Sequence, residues 1–583
     1  MHLDLLGSIS MAIHTQVFST SCLDSYLRPI VETDCNERRW LMAQGSKIYT
    51  KPWVVDFILD LVGYDDKHDI LSKCIVEPSC GEGSFTSQII DRLCNATEQQ
   101  KGSLSWQQLS RCLRAYDLDP VALKKAQEGA AKILAEHGCP ASVATNLINS
   151  WFICADFLLT DAPACDWVVG NPPYIRSVSI NRQKREAYVK ALPCMSAGCD
   201  LYIGFFDKGL SLLNDGGTLG FICSDHWMQN AYGRKLRAEL NRDNDLFGSA
   251  FNLTRHIRMY GVDAFASEVD AYPAITTITK QRRNDSFAYV SCESDFSYAD
   301  IPSLHAWLEH PSADKPAPHC SGAVLEKPSG DRVFSLGNAE DVAFVHEAVD
   351  RYPQLVEAAG IGIGIATGCD DIFLTENPNI VEPSRLLPLF YMRDYRRGQS
   401  DRQRWLINPW SKNGDLVTLS KYPRLKAYYE AHRTRLERRH IARKNEAEWY
   451  RTIDKPKFDL LSRPLLLLPD LAAHPDPILS EGKYPHHNCY WIDSDIWDLE
   501  VLGGLLMSRQ TQMFIDTLGV KMRGNTLRFQ AQYLKLLHIP EYDDLSPEIR
   551  NGLRLAFRER NRDKASTYTQ AAYKATRNEK HHA

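Results

Sequence analysis

In the N-terminal third of this 583-residue chain, four short, largely apolar runs each end on an acid or an amide, and this recurrence limits the fold more than any other feature. The runs are Lys73-Cys74-Ile75-Val76 before Glu77, Cys112-Leu113-Arg114-Ala115-Tyr116 before Asp117, Trp151-Phe152-Ile153-Cys154-Ala155 before Asp156, and Trp167-Val168-Val169-Gly170 before Asn171. Runs of this length and character read as buried strands. Helical spacing follows the first (Ile89, Ile90, Leu93) and resumes after the second from Val121. Strands alternating with helices predict an α/β chain with a doubly wound, mostly parallel sheet. In such a sheet ligands sit beyond the C-terminal strand ends, where the polar tips gather.

Each tip has its own chemistry. Glu77-Pro78-Ser79-Cys80-Gly81-Glu82-Gly83-Ser84-Phe85 is a glycine-rich turn that lets backbone approach a ligand and opens a helix with free N–H groups. It lacks the third glycine of a dinucleotide fingerprint and the lysine of a phosphate loop, so NAD and ATP are not indicated. The acid ahead of the turn suits a ligand with a cationic or amino end. Asp117 stands where such sheets accept ribose hydroxyls, and Asp119 reads as the cap of the next helix. Asp156 can accept from an adenine amino group. Asn171-Pro172-Pro173-Tyr174 is a rigid loop, because two prolines stop the ladder. The Asn171 side-chain oxygen and the Pro172 carbonyl can accept from an exocyclic NH₂, while Tyr174, read as exposed, stacks on the ring that carries it. Two such acceptors draw the nitrogen lone pair out of conjugation and make it a better nucleophile. Upstream, Thr50 and Pro52 read as a helix start capped by the threonine, ahead of Val54, Val55, Ile58, Leu59 and Val62.

Taken in order, Gly45–Pro52, Glu77–Phe85, Asp117–Pro120, Asp156–Phe157 and Asn171–Tyr174 resemble the S-adenosylmethionine-dependent DNA adenine-N6 methyltransferases. The resemblance is closest to the gamma-ordered group of type II restriction-modification systems, in which a C-terminal region recognises the target. It implies a Rossmann-like methyltransferase sheet followed by a mixed α+β recognition domain. It implies catalysis by Asn171, Pro172, Pro173 and Tyr174. The cofactor, S-adenosyl-L-methionine, would be held by Tyr49, Thr50, Glu77, Pro78, Cys80, Gly81, Gly83, Asp117, Leu118, Asp156, Phe157 and Asn171. Tyr174 and Tyr272, the latter within Asp270–Ile278, would stack on the target base. Lys51 departs from the family, whose threonine runs directly into proline, and should reshape the pocket edge. The implied divisions are a lead-in at 1–37, a methyltransferase domain at 38–283, a linker or insertion at 284–337, a recognition domain at 338–545 and a helical tail at 546–583. Asn214–Gly217 is expected as a turn before a strand at Thr218–Ile222.

Charge distribution narrows the partner. The chain carries a net charge of -5, yet residues 391–460 hold roughly twice as many Lys and Arg as Asp and Glu, interleaved with Trp405, Trp410, Tyr428, Tyr429, Trp449 and Tyr450. A local basic excess on an acidic chain reads as a footprint for phosphates, and the resemblance implies that they belong to double-stranded DNA. The plainer alternative is a solvated helix face at Arg433–Glu448 laced by i,i+4 pairs. Gly364–Gly368, Asn488–Ile492 and Arg528–Leu534 resemble landmarks of the recognition regions. No apolar run is long enough to span a bilayer, and Met1-His2-Leu3-Asp4 lacks a basic leader, so a cytoplasmic protein is expected, and the resemblance implies a prokaryotic, nucleoid-associated one. Sixteen scattered Cys without a CxxC pair point to reduced thiols. Neither Cys194 with Cys199 nor His486 and His487 with Cys489 has zinc-site spacing, so no metal is expected. Pro469-Asp470 with Glu481-Gly482-Lys483 matches a restriction-nuclease spacing, but Gly482 and Pro475–Pro477 argue for a loop. Any restriction endonuclease would then be a separate protein.

The expected activity is methyl transfer to N6 of a flipped adenine in duplex DNA. Methylation of a protein glutamine amide, which also uses Asn-Pro-Pro-Tyr around a planar NH₂, is the alternative. A catalytically silent DNA-binding module is a third, against which Glu77, Asp117, Asp156 and Asn171 speak.

Overall fold

Residues 48–99, 105–242, 250–267, 272–281, 284–312, 314–399, 402–519, 521–522 and 526–579 are described by the computed structural model. The expectations for 1–47, for Asp270 and Ala271 and for a boundary at Arg283 lie outside the described residues. The chain divides into two units, Met1–Ala339 and Glu340–Ala583.

In the first unit, α1 (Pro52–Leu61) precedes β1 (Ile75–Glu77), α2 (Ser84–Gln99), β2 (Leu113–Asp117), α3 (Pro120–Glu136), α4 (Ala141–Trp151), β3 (Phe152–Cys154) and β4 (Cys165–Gly170). There follow α5 (Arg182–Ala191), α6 (Tyr202–Ser211), β5 (Leu213–Ser224), α7 (Arg234–Leu240), β6 (Ala250–Arg258), β7 (Pro273–Gln281), β8 (Ser286–Cys292), α8 (Ile301–Glu309) and β9 (Cys320–Glu326). The described strands form a nine-stranded sheet in the order β3-β2-β1-β4-β5-β7-β6-β8-β9. From β3 to β5 every neighbour is parallel, while β7 runs antiparallel between β5 and β6. β1 sits between β2 and β4, so chain order runs outward from it in both directions, and that switch point opens a crevice at the carboxyl ends. Trp167, Val168 and Val169 of β4 are buried, each contributing about 1.5–3 kcal/mol if fully removed from water. The Trp167 indole donates to the Val62 carbonyl at 2.9 Å and meets Tyr64 edge-on at 5.1 Å, which ties the central strand to the chain just past α1.

Three local expectations are corrected. The N-cap of α1 is Lys51, with no side-chain cap, because Thr50 is already bridged to Phe265 and buried. Asn214–Gly217 lies inside β5, where the ladder to β4 slips register between Cys165 and Trp167, so the chain bulges there without turning away. Residues 284–337 are not a linker: β8 pairs parallel with β6, β9 antiparallel with β8, and both extend the sheet. Phe287 to Val290 are all buried, which removes the alternation that marks a half-exposed strand.

The second unit contains a four-stranded antiparallel sheet ordered Gly360–Ile363, Cys489–Asp493, Leu465–Pro469, Ile478–Ser480. A second sheet joins Leu374–Thr375, Trp405–Ile407, Leu386–Phe390 and Tyr484–Pro485. Helices Leu499–Leu506, Arg509–Leu518, Pro547–Arg558 and Arg562–Glu579 follow. Among the described residues no helix is long and apolar enough to cross a membrane.

Candidate active site

Glu77, Asp117 and Asn171 end or directly follow three adjacent strands, and Asp156 lies two residues beyond the next. Glu77 is 1% exposed and its Oε2 makes no hydrogen bond within the described residues. Burial, and after it the Asp117 carboxylate, pushes the Glu77 carboxyl well above its usual range. Asp117 shapes the glycine turn: Oδ2 accepts from the Gly81 N–H at 2.7 Å and Oδ1 from the Asp119 N–H at 2.8 Å. Gly81 (φ +54°) and Gly83 (φ +99°) hold left-handed backbone, and a side chain on Gly83 would meet Ala126 of α3 at 3.2 Å. Asp119 caps α3 through the Val121 N–H at 2.9 Å, as expected. Tyr49 lies beside Gly81, and burial together with the Glu82 carboxylate raises its hydroxyl. Pro78 and Cys80 are buried in the same turn. A buried acid with an open oxygen is completed by a cationic ligand.

Asp156 and Phe157 are placed differently from one another. Asp156 Oδ1 accepts from the Leu158 N–H at 3.1 Å, and Oδ2 accepts from the Tyr188 hydroxyl at 2.7 Å and sits 3.1 Å from Lys184 Nζ. Lys184 and Tyr188 were missed in the sequence, although their i,i+4 spacing on α5 puts them on one face. Phe157 is packed in the core: it is 2% exposed, stacked on Phe205 at 5.8 Å and edge-on to Tyr116 at 5.4 Å. Its large apolar ring does more in the core than at a wet strand tip. Leu118, by contrast, is 44% exposed.

Asn171 is held from three sides. Ser79 Oγ donates to its carbonyl at 3.3 Å, and its Nδ2 donates to the Ile48 carbonyl and to Thr50 Oγ1, both at 3.3 Å. Oδ1 is buried and makes no hydrogen bond within the described residues. The loop thus presents an acceptor with nothing to accept, a cost that an incoming N–H donor removes. Tyr174 is only half-buried rather than exposed, and its hydroxyl is enclosed near Cys223, where burial pushes it up. Tyr272 stacks on His226 (centroids 5.6 Å, 28°) and meets Tyr260 edge-on at 5.5 Å.

Behind these rings lies a buried ion cluster that sequence inspection missed, since its members are distant in the chain. Asp225 Oδ2 accepts from Arg258 Nε at 2.6 Å and faces His256 Nε2 at 3.4 Å, and Oδ1 accepts from the Tyr260 hydroxyl. Arg258 also donates to Gln229 at 3.1 Å. Burial alone would raise the Asp225 carboxyl, but Arg258 and then His256 hold it far below the usual carboxylate range. Burial lowers His256, which keeps it neutral.

In the second unit, much of the basic excess is consumed locally. Arg404 pairs with Asp394, Arg433 with Glu437, and Arg439 donates to the carbonyls of Thr367, Trp449 and Arg451. The segment Arg433–Glu448 is broken into Arg433–Glu437 and His440–Lys444, with Arg439 between them. Trp410, Tyr429 and Trp449 are core residues. Lys412, Lys421, Arg424, Lys426, Arg438 and Lys444 remain exposed. Asp370, His486 and His487 bring one carboxylate oxygen and two ring nitrogens within 4.8 Å of one another, with Asp370 Oδ2 3.0 Å from His486 Nε2. Asp370 was absent from the sequence-based grouping with Cys489. Residues 475–477 and 481–483 lie outside the strands, as expected for a loop, while Leu465–Pro469 and Ile478–Ser480 pair antiparallel with Ser480 opposite Leu465. Glu481, one residue past Ser480, therefore lies about 20 Å from Asp470, at the opposite end, from six residues at ~3.4 Å each. Asp470 is instead bonded to Arg528 at 3.1 Å.

Comparison with known proteins agrees with this geometry. Residues 117–246 match the family model described as Eco57I restriction-modification methylase. The chain is 37% identical over 522 residues to the type II methyltransferase M.PaeR7I of Pseudomonas aeruginosa, covering 88% of each chain. It is 35% identical over 544 residues to the type II methyltransferase M.XhoI of Xanthomonas vasicola, covering 91% of this chain and 97% of that one. In fold it is similar to the type IIL restriction-modification enzyme MmeI, solved in complex with DNA (TM-score 0.58, 10% identity, 90% of this chain and 72% of that chain). With relatives this similar over nearly their whole length, the chain belongs to the type II methyltransferases of restriction-modification systems.

Proposed function

We propose that this enzyme methylates N6 of adenine in duplex DNA, with S-adenosylmethionine as methyl donor. The observation that carries the reading is the buried, unsatisfied Asn171 Oδ1 in a proline-rigid loop at the switch point. The donor set fits the cofactor: Glu77 offers an open buried carboxylate oxygen to the methionine ammonium, and Asp117 stands at the second strand tip for the ribose. Leu118 would cover the adenine ring and Asp156 accept from its amino group, sharing the oxygen now bonded by Tyr188 and Lys184. When bound, the cofactor supplies an electrophilic methyl group. Asn171 Oδ1 and the Pro172 carbonyl accept the two amine hydrogens and turn the nitrogen lone pair outward. Flipping the adenine costs a few kcal/mol, and stacking on Tyr174 and Tyr272 returns about 1–3 kcal/mol per ring. The second unit, with its exposed lysines and arginines, would hold phosphates and choose the site.

The test is transfer of labelled methyl from S-adenosylmethionine to duplex DNA, with the product nucleoside identified after digestion. Label in N6-methyladenine is the expected result. Label in protein glutamine, or in cytosine, would overturn the assignment.

Glu77 adds a pH prediction. Burial raises its carboxyl and so favours the protonated form in the free protein, whereas a cationic ligand favours the charged form, so binding drives release of a proton. Cofactor affinity should therefore rise with pH up to the raised pKa and level off above it. Calorimetry in two buffers of different ionisation enthalpy should register up to about one proton released, and Glu77→Gln should abolish the release.

A further inference from the structure

We infer that Thr50 is a positioning residue for the catalytic amide: with the Ile48 carbonyl, which fixes the end of the Asn171 side chain that faces the target, its hydroxyl holds the amide in that pose. This rests on the proposed role of Asn171. An asparagine amide is nearly symmetric in shape, and only its hydrogen-bond partners decide where oxygen and nitrogen lie. Here the Nδ2 hydrogens are both engaged, by the Ile48 carbonyl and Thr50 Oγ1 at 3.3 Å each, which leaves Oδ1 as the amide atom without a partner among the described residues. The flipped amide would set Oδ1 against the Ile48 carbonyl, two acceptors in contact, and would offer NH₂ to an amine that is itself a donor. Ile48 supplies the acceptor that cannot change sign, and Thr50 supplies the second.

Thr50 is suited to hold that position. It is 4% exposed, bridged to Phe265, and stands one residue ahead of the Lys51 that begins α1. Lys51 in turn donates its backbone N–H to the Ala264 carbonyl at 3.0 Å and pairs its ammonium with Asp263. The segment is thus fastened on both sides of the hydroxyl. The residue that interrupts the threonine–proline step anchors the strap that carries Thr50.

The experiment uses the full chain, first confirming methyl transfer by the wild type, so that failure of the parent reading appears before any variant is made. Thr50→Val keeps shape and removes the hydroxyl. It is expected to lower kcat about tenfold, the equivalent of one lost hydrogen bond, beyond whatever change calorimetry finds in cofactor or DNA affinity. Thr50→Ser should restore most of the rate. Asn171→Asp gives the sharper control: a carboxylate has two equivalent oxygens, so there is no orientation to lose. If that variant retains measurable turnover, adding Thr50→Val to it should cost less than about twofold. An equal loss in both backgrounds, or a fall in kcat that merely follows weakened cofactor binding, would overturn the inference. Should Asn171→Asp be inactive, the comparison of kcat with the calorimetric affinities of Thr50→Val decides alone.

Discussion

Asn171→Ala is expected to reduce methyl transfer by about 10²–10³-fold, the loss typical when one preorganised hydrogen-bonding group at a reacting centre is removed. S-adenosylmethionine should still bind with near-original affinity, because Glu77 and Asp117 stand on β1 and β2 and keep their contacts without the amide. Asp117→Ala should reverse the pattern. Its carboxylate holds the Gly81 and Asp119 N–H groups, so its removal loosens the turn and weakens cofactor binding before it affects the chemistry. Single-turnover rates beside calorimetry on both variants separate the two. Equal loss of cofactor binding in both would mean that the strand tips do not divide the work as assigned.

Asp225→Asn is expected to destabilise the first unit by about 3–5 kcal/mol, since it leaves the Arg258 guanidinium buried without its counter-ion. Both side chains are about 1% exposed, so water cannot compensate. The direction with pH follows from the depressed carboxyl. Its contribution is complete above the unfolded-state value near ~3.9 and is lost only as pH falls through the folded value. The deficit of the variant should therefore be constant from about pH 5 to 8 and shrink only in acid. Denaturant unfolding at three pH values measures this, and pairing Asp225→Asn with Arg258→Met should cost less than the sum of the single changes. A variant as stable as wild type would show that the cluster is not energetically coupled. The functional consequence is expected at Tyr272, because Tyr260, which donates to Asp225, meets that ring edge-on.

What the residues determined unaided was local. Glycines at 81 and 83, an acid at each strand end and two prolines after Gly170 are short-range constraints on backbone, and they place the switch point and its polar rim. Helix α1 was legible for the same reason, except for its cap. Strand β8 was not, because burial on both faces erases the period-2 signal for most of it. The aromatic-rich basic segment misled in part. A guanidinium carries the same charge whether it faces phosphate or, like Arg439, three carbonyls of its own loop. Only the tertiary structure could decide that Phe157 belongs to the core, that Lys184 and Tyr188 meet Asp156, or that Asp225 neutralises Arg258. The hydrogen bond from Asn171 to Thr50 joins residues 121 positions apart, and no periodicity reaches that far. Sequence specifies which groups stand at each strand end; the direction in which an amide or a carboxylate points is set by partners that only folding brings within hydrogen-bond reach.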